Sequence, residues 1–141
     1  MEINAMWFAV AVLVQFVLGA LWYSPLMFGK WWMQIMEKTN ATKAELDQMQ
    51  KEMAPFYGLQ LVLTVVSTFV LAMVIHYMRA GEPSFHAYGV AGWLWLGFFA
   101  PTQISAVIWA NTKKKFWAKQ IFVMLSYQLV ALMLTAFFLS L

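Results

Sequence analysis

The sequence predicts an all-α, polytopic membrane protein with four transmembrane helices. Two observations carry that reading. The 141 residues are 63% hydrophobic and only 11% charged, whereas soluble domains are about a quarter charged, so this chain cannot cover a water-facing surface. The apolar residues also fall into four long runs, each of about twenty residues or more, the length that crosses roughly 30 Å of hydrocarbon. Lipid offers the backbone no hydrogen bonds, and the helix is the open-chain element that satisfies its own, so each run is read as a helix.

The first span runs from Ile3 to Tyr23 and is stopped by Ser24-Pro25, because proline lacks an N–H and its ring clashes with the turn before it. Glu2 is the only charged side chain ahead of it. With no basic n-region and no small-residue cleavage site, the span is expected to be retained rather than removed as a signal peptide. The second span opens after Pro55 and covers Phe56 to Tyr77. The third covers Phe85 to Ala110, with Pro101 inside it, which should kink the helix by freeing a carbonyl one turn earlier. The fourth covers Phe116 to Leu141, with Lys119 in its first turn. No span carries Lys, Arg, Asp or Glu in its interior, and residues 1–141 are read as one transmembrane domain.

The connection 24–54 is amphipathic. Phe28, Trp31, Trp32 and Ile35 recur at one helical face. Thr42 and Glu45 stand at capping-box spacing and should start a second short helix, lined on one side by Leu46, Met49 and Met53. The expectation is an interfacial helical hairpin on the cytoplasmic leaflet. The connection Met78 to Ser84 contains Gly81 and Pro83 and reads as a tight turn; Asn111 to Lys115 is short and basic.

Orientation follows from the cations that flank the spans. Lys30, Lys38, Lys43, Lys51, Lys113, Lys114, Lys115 and Lys119 lie on one side, and Arg79 alone lies on the other. The lysine side should be cytoplasmic, with both termini periplasmic or extracellular.

The composition removes several kinds of chemistry. With no cysteine there are no disulfides, thiolate metal sites or thiol nucleophiles. No carboxylate pair lies within a span, and proton pumps keep ionisable residues at depth that this chain lacks. His76, His86 and Glu82 near one end do not have a recognised metal-ligand spacing, so interfacial histidines are expected and no metal or cofactor. Each span does hold a glutamine: Gln15, Gln60, Gln103 and Gln128. An amide is costly against lipid, so these should face the bundle interior, with Thr64 and Thr102 beside them. They serve either as polar glue between helices or as the lining of a polar cavity.

The densest cluster follows the first span: Trp22-Tyr23-Ser24-Pro25, then Phe28-Gly29-Lys30 and Trp32-Met33. It is either an aromatic anchor with a turn, or a pocket where Trp22, Tyr23, Ser24, Lys30 and Trp32 hold an anionic headgroup. These residues, with Gly97-Phe98 and Tyr127-Gln128-Leu129 more loosely, resemble the signature of a bacterial integral-membrane family known as domain of unknown function 1761. The likeness extends over nearly the whole chain. It implies a bacterial inner-membrane protein of about four spans and carries no known activity or site residues.

Together these readings lead to an expected function: a non-enzymatic membrane component that self-associates and binds lipid or a small amphiphile. The expected partners are membrane lipids and further copies of the chain, not nucleic acid. The alternative is a small-molecule transporter or channel subunit with a glutamine-lined interior.

Overall fold

Asn4 opens the first helix by accepting the N–H groups of Met6 and Trp7 on its side chain, at 3.1 and 3.3 Å. Helix α1 then covers Ala5–Trp22. The computed structural model describes residues 3–141. Met1 and Glu2, on which the expectation of a retained first span drew, lie outside the described residues.

A tight turn ends α1. The Ser24 carbonyl accepts from the N–H groups of both Met27 and Gly29, and the Trp22 carbonyl accepts from Phe28. Helix α2, Gly29–Ile35, starts at once. A Cβ on Gly29 would lie 2.5 Å from the carbonyl carbon and oxygen of Ser24, so only glycine fits this crossing.

Helix α3 covers Lys43–Gly81, and its first turn holds both halves of the capping box between Thr42 and Glu45. The sequence suggests a short helix that ends before Pro55, followed by a separate span. The structure differs: α3 is continuous for 39 residues, about 58 Å at 1.5 Å per residue, with Pro55 inside it. Proline removes one bond, to the Lys51 carbonyl, and that stretch is exposed, so solvent can take the freed acceptor.

The third span is also more structured than expected. Helix α4, Ala87–Leu94, passes into a π-helical turn at Trp95–Phe99 and then into α5, Ala100–Trp109. The wider turn sits just ahead of Pro101, where the ring would collide with the carbonyl of Gly97 in a regular helix. The Thr102 hydroxyl bonds the Phe98 carbonyl next to it. A 3₁₀ turn at Lys114–Phe116 leads into α6, Trp117–Leu139.

Four helical stretches are thus long and apolar enough to cross a membrane, and the described residues contain no strand. Their order around the bundle is α1, α3, α4–α5, α6, and α6 touches each of the other helices. Small residues bring the helices close: Ala87, Ala91 and Ala136 are buried with Leu71, Ile75, Val90 and Leu132 at the end where Ile3 and Leu141 lie. Between membrane helices such packing acts through van der Waals contact, since lipid is as apolar as leucine. The outer surface is the inverse of a soluble one: Trp109 is 83% exposed, and Phe98 and Trp93 each 69%. Burying one such side chain from water is worth ~1.5–3 kcal/mol, so a lipid surround is what these residues require.

Candidate functional site

Midway along the bundle, α1, α3, the π turn and α6 enclose a cavity of about 430 Å³. Its polar lining comes from Gln15, Ser67, Thr68, Gln128 and Thr135. The position of each follows from helix rotation. Thr64, Thr68, Leu71, Ala72 and Ile75 share the one buried face of α3, and Gln15 meets that face from α1. The Gln15 amide donates to the Thr68 hydroxyl at 2.7 Å, and Thr68 is itself buried. Thr135 returns its hydroxyl to the Ala131 carbonyl, and Ser67 to that of Thr64. The half-buried Gln128 amide takes no partner among the described residues.

The rest of the lining is apolar: Leu71, Val74, Leu94, Phe99 and Leu132, with Val70 and Phe98 at the rim. Val70 and Phe98 are exposed on the outside of the bundle, so the cavity opens sideways between α3 and the π turn. A second, wholly apolar hollow of about 360 Å³ adjoins it and shares Val74, Leu94 and Phe98. No charged side chain and no histidine lines either space.

At the lysine-rich end the aromatic residues form a continuous cage. The Trp22 indole N–H donates to the Val123 carbonyl at 3.1 Å. The Trp22 ring lies 5.1 Å from Phe28 and 6.1 Å from Tyr127; Tyr23 meets Trp32 edge-on at 4.8 Å. Gly19 admits this packing, since a Cβ there would lie 3.0 Å from the Tyr127 hydroxyl. Lys119 joins from α6, donating to Gln34 at 3.1 Å and lying 5.3 Å from the Trp31 ring centroid. Below it an ion pair joins Glu37 to Lys113, and the hydrogen bond and charge of Lys113 hold the Glu37 carboxyl below its usual range.

A family pattern matches residues 6–140, nearly the whole chain, the residues of this cage among them. The chain belongs to DUF1761, a family of proteins of unknown function. No curated protein and no solved structure matches it.

In this DUF1761 chain two of the four glutamines expected to face the interior, Gln15 and Gln128, come together at the cavity. Gln60 and Gln103 do not. Gln60 is exposed on α3, with its amide 3.5 Å from the Thr64 hydroxyl, and Gln103 is half-buried on α5 away from the lining. Thr64 is buried and donates to the Gln60 carbonyl, while Thr102 is exposed. Of the headgroup cluster, Trp22, Tyr23 and Trp32 pack together. Ser24 spends its hydroxyl on the Leu21 carbonyl and the Leu26 N–H, and Lys30 is exposed. The cation that reaches the cage is Lys119, marked in the sequence only by its place one turn before Phe122. His76 lies in a hollow with Arg79, and His86 sits at the start of α4. Among the described residues no three His, Asp or Glu side chains group as a metal site.

Proposed function

We propose that the mid-membrane cavity binds a small neutral amphiphile that comes from the bilayer through the opening between Val70 and Phe98. One observation carries this reading: the Gln128 amide, with its donors and acceptor free, faces a cavity whose other polar side chains bond to one another or to the backbone. An amide at that depth is costly unless something meets it, and a ligand hydroxyl, carbonyl or amide group would do so. A neutral head is favoured because no ionisable side chain lines the space to offset a charge. The volume lies within the range of small-molecule sites. No acid or base lines the cavity to activate its Ser67, Thr68 and Thr135 hydroxyls, which supports a binding role without catalysis. We assign the lysine-rich end to the cytoplasmic side of a plasma membrane, from the eight-to-one split of cations flanking the spans.

The test is photo-crosslinking in nanodiscs with a diazirine-bearing fatty alcohol. Labelling should map to the peptides of Val70 and Phe98, and Gln128→Leu should lower it about tenfold, as loss of one hydrogen bond in the membrane implies. Equal labelling of a Gln128→Leu protein that melts like wild type would end the proposal, as would stronger labelling by the anionic fatty acid.

A second reading, movement of that ligand across the bilayer, draws on the π turn and Pro101 in the cavity wall, since such irregularities are common at functional hinges. Flux in proteoliposomes decides it. Flux lost in Gln128→Leu but kept in Gln103→Leu supports transport through the cavity; no flux in wild type removes it.

A further inference from the structure

Helix α3 is far longer than its packing requires. All its buried residues fall between Thr64 and Ile75, so residues 43–63 form a rod of about 32 Å with none. Along that rod Leu46, Met49, Met53, Phe56, Gln60 and Leu63 recur at alternating spacings of three and four. In the charged part of the rod Leu46, Met49 and Met53 stand out as a narrow row at the 3.5 repeat of a left-handed helix pair, and beyond Phe56, where every face is apolar, Gln60 continues its register. Met53, Phe56 and Leu63 are each about half exposed, and Leu46 and Met49 are half-covered beside the 36–42 connection.

Lipid does not account for this seam. Its first residues stand among Lys43, Glu45, Asp47, Lys51 and Glu52, a stretch too charged for hydrocarbon, where their uncovered halves would meet water. Gln60 stands in the apolar stretch, exposed, and its one contact, to the Thr64 hydroxyl at 3.5 Å, is at the limit of a hydrogen bond. An acyl chain cannot satisfy that amide.

We propose that two copies of the chain pair in parallel along α3, with Gln60 meeting its counterpart on the two-fold axis. An amide carries both donor and acceptor, so two of them bond reciprocally. A residue meets itself only across a two-fold axis, and copies inserted with one topology in one membrane can be related only by an axis along the membrane normal. A polar residue at one seam position fixes the register of such a pair. The flanking positions agree: Glu45 faces Gln50 of the other copy and Glu52 faces Tyr57, so no like charges oppose one another.

Disulfide trapping in isolated membranes tests this, since the chain has no native cysteine. Met53→Cys and Leu63→Cys should yield dimers on oxidation, while Gly58→Cys and Val65→Cys, on the opposite face of α3, should not. Adding Gln60→Leu should lower the trapped fraction about tenfold. Equal trapping at all four positions, monomer at all four, or seam cysteines captured only by a chain of different mass would each overturn the proposal. None of these outcomes bears on the cavity.

Discussion

The Trp22 indole N–H reaches the carbonyl of Val123, 101 residues away, and ties the end of α1 to α6. Trp22 is buried and also packs on Phe28 and Tyr127. Trp22→Phe keeps a ring but removes the indole donor to this carbonyl, and should cost ~1–2 kcal/mol. Trp22→Ala adds a cavity and should cost ~3–5 kcal/mol. Thermal melting in mild detergent measures both, and equal melting temperatures for the two variants would show that the hydrogen bond, not the ring, matters.

Gly29→Ala should be among the most damaging single changes in the chain. Its Cβ would meet backbone atoms of Ser24 at 2.5 Å, and backbone cannot rotate away as a flexible side chain can. Gly89→Ala is the control. Nothing lies within 4 Å of a Cβ there, and alanine favours an α-helix by ~1 kcal/mol over glycine. The two variants should therefore shift the melting temperature in opposite directions.

The bond between Gln15 and Thr68 predicts a coupling. Gln15→Leu and Thr68→Val should each destabilise the bundle, and the double variant should cost less than their sum by ~0.6–1.7 kcal/mol, the range found for bonds between membrane helices. Additive effects would mean the two side chains do not share a bond in solution.

Glu37 gives a pH prediction. Its carboxyl is held below the usual 4.5 by its hydrogen bond to Lys113 and then by that lysine's charge. A lowered folded value means the unfolded chain binds the proton more readily. The pair therefore contributes fully above the unfolded value and fades as pH falls through the folded one. Both partners are exposed, so the effect is small and salt-sensitive. Proteolysis of the 36–42 connection should quicken below pH 4.5 in wild type; Glu37→Gln should show the faster rate at every pH.

The spans were readable because length and apolarity are one-dimensional properties. Rotation was not. Phe56 to Leu63 is apolar almost all round, so no stripe in the sequence tells which way Gln60 faces, and inward was the natural expectation for an amide. Gln60 lies one turn before buried Thr64, on nearly the same face, and stays exposed because packing begins only at Thr64. Pro55 misled for a related reason: proline breaks helices where its lost bond is buried, and here it is exposed. At Pro101 the disturbance was legible and its form was not, since a kink and a π turn relieve the same collision. The aromatic cage was visible as a motif in residues 22–33. Its partner residues, Lys119, Phe122 and Val123, are almost a hundred residues away, and no local pattern links them.

The helix that touches all the others, α6, is made after every one of them. Until α6 emerges, α1 has only α3 to lean on, the indole of Trp22 has no acceptor, and the small-residue face of α4 meets α3 alone. Three inserted helices are therefore joined through α3 alone before the fourth arrives. A nascent chain stalled before Trp117 would therefore lack most of the contacts that close the bundle and would be open to membrane proteases.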